Sequence, residues 1–142
     1  MSILGPGEGQ PLPNAEAPTS RVKVESGTAD FSVFESTMSP NPAGVPLHRH
    51  RSYDEGFFVI EGEMEFVVGE RTERVAAGGF VLVPRGVAHR FANPGPATSR
   101  MLVIGSSGVQ ALVEEGAGHL NQDPPDMAAF KAVFARHDSE LV

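Results

Sequence analysis

His48, His50, Glu55 and His89 are the residues of this chain whose types and spacing suit chemistry. In "PLHRHRSYDEGFFVIEGE", residues 46–63, two histidines stand two apart and a carboxylate follows after a four-residue turn. Side chains two apart along an extended strand point the same way, so His48 and His50 share a face while Arg49 and Arg51 project from the other. Glu55 opens "EGFFVIE", where Glu55, Phe57 and Val59 share one face and Phe58 and Ile60 take the other. His89 follows a Pro-x-Gly turn in "PRGVAHRFAN". Three neutral imidazoles and a carboxylate form an N3O set suited to one divalent transition metal ion (Fe, Mn, Ni, Zn, Co or Cu), with one or two positions left for substrate, water or dioxygen. A His-x-His pair on a strand is also a common polar face, and residue types alone leave both readings open.

The elements that must position these residues are strands. From Arg21 the chain runs through "RVKVES", "FSVFESTM", "GFFVIEGEMEFVV", "RTERVA", "FVLVP", "HRFAN" and "RMLVIG", short segments rich in Val, Phe and Ile. Turn-like links separate them, among them "SPNPAG", Glu61-Gly62, Gly69-Glu70, Gly78-Gly79, Arg85-Gly86 and "NPGPAT". Gly69-Glu70 suits a two-residue hairpin with glycine supplying a positive φ. The 16 glycines and 12 prolines, roughly a fifth of the chain, fit such frequent turns. Many strands without intervening helices imply an antiparallel barrel or sandwich and exclude a doubly wound α/β fold. Helices are expected only after residue 105. "SGVQALVEEG" has Ser107 as N-cap and Gly116 as its terminating glycine. In "DPPDMAAFKAVFARH", Asp123 caps, Pro124 takes the first helical position, and Met127, Phe130, Val133 and Phe134 form one apolar face.

At 142 residues the chain suits one domain: a flexible Pro/Gly-rich arm over 1–19, a barrel over 20–105, and a helical extension over 106–142 packing on the barrel. A formal net charge of −7 argues against nucleic acid and anionic membranes as partners. Without cysteine there are no disulfides, thiolate ligands or cysteine nucleophiles. The N-terminal stretch lacks signal-peptide and membrane-span features, which makes a cytoplasmic location the expectation. No Gly-x-Ser-x-Gly element supports a nucleophilic hydrolase.

The histidine pattern resembles the motifs of the cupin superfamily. His48, His50, four residues, Glu55, six residues and Gly62 follow the first motif, and Gly78, Pro84, Gly86, His89 and Asn93 match the second position for position. Three residues separate Gly44 from His48, where the usual pattern has five, a difference confined to the entering turn. The resemblance implies an all-β jelly-roll barrel with a short helical C-terminal tail, in which His48, His50, Glu55 and His89 ligate the metal. It implies turn roles for Gly62, Gly78, Pro84, Gly86 and Asn93. Within the superfamily, residues 46–91 and the helical tail look most like small single-domain, quercetin dioxygenase-like cupins.

That kinship implies a metal-dependent dioxygenase acting on an aromatic, enediol or diketone-type molecule bound in the barrel, with Glu55 as ligand and catalytic base. A metal-assisted isomerase, cyclase or lyase, and a non-catalytic binding or sensing module, are the alternatives. Phe57, Val59, Phe66, Phe91 and Leu102 are the expected cavity lining. Asp54 points away from Glu55 on strand parity, and Tyr53 suits the barrel rim. Arg49, Arg51, Arg85 and Arg90 are expected to be solvated or paired with carboxylates. His119 and His137 lie outside both motifs, His137 near a helix C-terminus. Sheet edges and the Pro-rich arm lead to the expectation of a homodimer.

Overall fold

Period-two alternation of buried and outward side chains organises the chain into two antiparallel sheets. In a computed structural model, which describes residues 2–15, 17 and 19–142, the elements run in order β1 (Gln10–Pro11), β2 (Arg21–Val24), β3 (Phe31–Met38), β4 (His48–His50), β5 (Glu55–Glu61), β6 (Glu63–Val68), β7 (Arg71–Ala76), β8 (Phe80–Val83), β9 (His89–Ala92), β10 (Ser99–Ser106), α1 (Val109–Leu120), α2 (Met127–Arg136) and β11 (Ser139–Leu141). One sheet has the order β1-β2-β3-β10-β5-β8 and the other β11-β4-β9-β6-β7. They face each other as a jelly roll, and Phe34, Phe57, Val59, Met64, Phe66, Met101 and Val103 fill the space between.

Two corners show why glycine is needed. β5 and β6 lie in different sheets, and Gly62 turns the chain between them at φ 77°, where a side chain would collide with Ser99. Gly69, at φ 58°, begins the two-residue link between the paired strands β6 and β7. Asn93 closes a third turn. Its fully buried amide donates to the carbonyls of Met38 and Ala97 and its side-chain oxygen accepts from Gly95 N, which fixes the loop into β10.

The helical tail differs from expectation in its boundaries and in its content. α1 starts after Gly108, not Ser107, and runs through Gly116 to Leu120. Gly116 serves packing instead of termination: a Cβ there would press on the Phe130 ring, so the missing side chain lets α2 approach α1. α2 is capped by Asp126, whose side chain accepts from Ala129 N, and Asp123 and Pro124 precede the helix. Phe130, Val133 and Phe134 are buried with Leu112, whereas Met127, in the first turn, is largely exposed. The extension also ends in a strand, β11, which joins the second sheet beside β4.

The N-terminal arm, expected to be loose, lies along its own barrel over its described residues. β1 pairs with β2, Leu12 is buried in the core, and Asn14 donates to the Glu114 carbonyl of α1. Met1, Glu16 and Pro18 of that arm lie outside the described residues. Among the described residues no helix is long and apolar enough to cross a membrane.

Candidate metal centre

Four side chains from two strands of one sheet and one strand of the other meet inside the barrel. His48 and His89 sit directly opposite each other in the β4–β9 pair, so both project to the same side. His50, two residues along β4, joins them, and Arg49 between the two projects to solvent. Glu55 opens β5 in the facing sheet, and its carboxylate points back across the barrel. All four residues are buried, and one ligand atom from each lies within 4.8 Å of the others.

Each histidine has its Nδ1 committed to an oxygen outside the cluster. His48 Nδ1 is 2.7 Å from the Pro46 carbonyl and His89 Nδ1 is 3.1 Å from the Val87 carbonyl. Carbonyl oxygens only accept, so both rings carry their proton on Nδ1. His50 Nδ1 contacts the Ser139 hydroxyl at 2.8 Å, and that hydroxyl lies 2.9 Å from the His137 carbonyl. Nε2 is therefore the nitrogen each neutral ring offers to the centre of the cluster.

The Nε2 atoms of His50 and His89 approach Glu55 Oε2 at 3.1 and 2.9 Å. With Nδ1 protonated, these contacts pair lone pairs with a carboxylate oxygen unless a cation sits among them, and the N3O donor set fits a divalent metal ion in that place. His48 is suited to remain an unprotonated ligand, because burial and the neighbouring His89 lower its pKa to about 3. Burial alone would raise the Glu55 carboxyl, but the His50 and His89 rings beside it outweigh that and hold the group below the usual carboxylate range.

A cavity of about 160 Å³ opens beside the cluster, with His48, His50 and Glu55 in its wall. Phe34, Phe57, Phe91, Met101 and Val103 line it from the barrel, and Leu112, Leu120, Phe130 and Phe134 line it from the tail. Of the expected lining residues, Phe57 and Phe91 are present. Val59 and Phe66 are buried in the core away from the cavity, and Leu102 faces the opposite side of β10, because Met101 and Val103 hold the inward parity.

The remaining candidates do not join the cluster. Asp54 turns outward onto Arg85, 2.5 Å from Nη2. Tyr53 packs against the core, its ring centroid 5.7 Å from that of His50, and its hydroxyl pKa is raised by burial and then by Asp138. Arg49 and Arg51 both pair with Glu140, and Arg90 lies 3.6 Å from Glu65. His119 is not one of the clustered residues, and His137 pairs with Glu115 at 3.4 Å.

Two residues at the centre have no counterpart in the motif reading. Phe134 sets its ring edge-on to His48 at 5.2 Å between centroids and stacks at 6.2 Å on His50. Ser139 carries the hydroxyl behind His50. The apolar period of α2 marks Phe134 as buried but does not say against what, and the short β11 carries no pattern that sets Ser139 apart.

Comparison with known proteins agrees with this architecture. The cupin-domain family profile matches residues 34–105, which spans all four clustered residues. The polyketide cyclase RemF of Streptomyces resistomycificus is 29% identical with a TM-score of 0.61, over 75% of this chain and 80% of that one. A sugar phosphate isomerase of the cupin superfamily from Silicibacter pomeroyi is 27% identical with a TM-score of 0.50, over 56% of this chain and 52% of that one. An uncharacterized protein of Streptomyces coelicolor shares 50% identity over 38 residues, 27% of this chain, and the match spans only 36% of that relative's length. With half the chain matched by the profile and the jelly roll and motif residues in place, the protein belongs to the cupin family.

Proposed function

We propose that this cupin is a metal-dependent enzyme acting on an apolar, enolisable small molecule of the aromatic, enediol or diketone type, by enolate chemistry of the isomerase, cyclase or lyase kind. The observation that carries the reading is the pairing of a buried N3O cluster with a cavity walled mainly by aromatic and aliphatic side chains. Among the described residues no lysine or arginine lines that cavity, which disfavours a phosphorylated sugar. RemF, similar over most of this chain, is a polyketide cyclase, and poly-β-ketone chemistry runs through enolates.

A divalent ion held by His48, His50, Glu55 and His89 would supply Lewis-acid polarisation of a substrate carbonyl or enolate oxygen. Glu55 has both histidine contacts on Oε2, so Oε1 is the oxygen with capacity to take the proton lost on enolisation. Phe34, Phe57 and Phe91 offer flat apolar surfaces to an unsaturated ring and exclude water from the carboxylate. A 160 Å³ space suits about one aromatic ring, since an apolar cavity of ~150 Å³ takes a benzene.

Dioxygenation is the second reading. It is favoured by the likeness of residues 46–91 to quercetin dioxygenase-like cupins and by a four-ligand set that leaves positions open for both substrate and O2. Incubating metal-loaded protein with β-diketones, a flavonol and a poly-β-ketone mimic, in air and under nitrogen, tests both. Turnover under nitrogen supports enolate chemistry and O2-dependent turnover supports dioxygenation. Tight metal binding with no turnover in either atmosphere would overturn both in favour of a binding module.

A further inference from the structure

We infer that Ser139, in the C-terminal extension, is a positioning residue that fixes the ring tautomer of His50 and thereby its readiness to bind metal. The inference rests on the reading of the four-residue cluster as a metal centre. It concerns a residue beyond the 34–105 family match.

A serine hydroxyl has one proton to donate. Ser139 Oγ lies 2.9 Å from the His137 carbonyl, which can only accept, so the hydroxyl proton goes there. The contact of 2.8 Å to His50 Nδ1 must then be one in which the ring donates to Oγ. Nδ1 is protonated, and the Nε2 lone pair points at the cluster. The chain His50 Nδ1–H to Ser139 Oγ–H to His137 O has one direction, and it fixes the tautomer that ligation requires.

The backbone around Ser139 is built to hold that direction. Asp138 takes a left-handed conformation at φ 51°, which turns the chain from α2 into β11. Ser139 then pairs in register with His50, and Glu140 and Leu141 with Arg49 and His48. Ion pairs from Arg49 and Arg51 to Glu140 secure the outer face of the same strand, and Ser139 itself is 3% exposed. His48 and His89 use nearby carbonyls of Pro46 and Val87 for this purpose, whereas His50 draws its partner from 89 residues away.

The test compares Ser139→Ala, Ser139→Thr and Glu140→Gln with the wild type. Ser139→Ala should weaken Zn(II) and Co(II) binding about 10–100-fold. Ser139→Thr, which keeps the hydroxyl, should restore most of it, and Glu140→Gln, which loosens β11 without touching His50, should leave it within a few-fold. Equal losses in Ser139→Ala and Glu140→Gln would overturn the proposal in favour of general strand docking. Long-range proton–nitrogen NMR of the wild type provides a second readout that needs neither the variants' folding nor bound metal. His50 Nδ1 is expected to be protonated and slowly exchanging, with and without Zn(II). An unprotonated His50 Nδ1 overturns the proposal. Protonated Nδ1 without any metal binding would instead count against the metal centre alone.

Discussion

Glu55→Gln separates the structural role of the carboxylate from its role as a ligand. The substitution keeps the side-chain volume and an acceptor oxygen in a site where Glu55 is 4% exposed and faces the Nε2 atoms of His50 and His89 at 3.1 and 2.9 Å. In metal-free protein with the ring protons on Nδ1, the carboxylate meets two Nε2 lone pairs and gains no hydrogen bond from them, and its burial costs several kcal/mol that an amide avoids. Metal-free Glu55→Gln should therefore be at least as stable as the wild type. With metal at 100 times its Kd, linkage adds about 2.7 kcal/mol to the wild type. For 142 residues at about 2.1 cal/mol/K per residue, that raises Tm by about 9 °C. Thermal unfolding of both proteins, with EDTA and with Zn(II), Co(II), Ni(II), Mn(II) or Fe(II), reads the difference of differences. The wild type should gain close to the full shift with at least one ion, and Glu55→Gln should lose most of it at the same free metal concentration. A full shift retained in Glu55→Gln would refute Glu55 as a ligand, and no shift in the wild type with any of the ions would refute the metal centre.

Further outcomes concern the barrel around the site. Gly44→Ala should lower stability by about 2–4 kcal/mol in urea unfolding, because Gly44 has φ 65° and its Cβ would overlap the backbone at Phe91 and Ala92. Gly78→Ala, at φ 89° in open space, should cost only about 1–2 kcal/mol. Glu35 is depressed below its usual value: burial pushes it up, but Arg100 and then Lys23 more than compensate. Its contribution is present above the unfolded value of about 4.3 and is lost as pH falls through the lower folded pKa. Glu35→Gln should flatten the acid limb of the stability–pH curve, and an unchanged acid limb would show the pairing to be inert. We further propose that the chain forms a homodimer through the outer face of β5 and β8, where Phe58, Phe80 and Leu82 are 38%, 56% and 60% exposed beside a sheet edge. Light scattering should show Leu82→Glu shifted toward monomer, and a monomeric wild type at micromolar concentration would contradict the assignment.

The barrel strands were legible because each is a local pattern. "FSVFESTM" and "RTERVA" coincide with β3 and β7 residue for residue, and the parity of "EGFFVIE" places Glu55, Phe57 and Val59 inside with Phe58 outside. Leu102 was misplaced because "RMLVIG" is apolar at consecutive positions and its sequence offers no phase; the pairing of Met101 with Val59 and Val103 with Phe57 supplies it. The start of α2 was misplaced because two capping residues compete, Asp123 and Asp126, and only the contact of Asp126 with Ala129 N decides between them. Gly116 reads as a stop signal in sequence and acts as a gap filled by Phe130 in the fold, a distinction made by tertiary packing alone.

The largest gap between sequence and structure is the C-terminal extension, and it bears on how the site works. Motif spacing places all four donor residues between 48 and 89, which suggests a centre complete within the barrel. The structure instead closes the cavity with Leu112, Leu120, Phe130 and Phe134 and backs His48 and His50 with Phe134 and Ser139. Ligand atoms and their support thus come from different parts of the chain. A ligand of more than about one ring exceeds the 160 Å³ space, so it either extends through the cavity mouth or displaces α1 and α2. If the tail shifts with β11, the hydroxyl behind His50 moves as well, and substrate entry becomes coupled to the geometry of a metal ligand. That coupling predicts that bulky apolar ligands weaken Zn(II) binding, whereas single-ring ligands leave it unchanged or strengthen it. Metal titrations with each ligand class present measure the effect directly, and equal affinities across both classes would show that the tail stays docked.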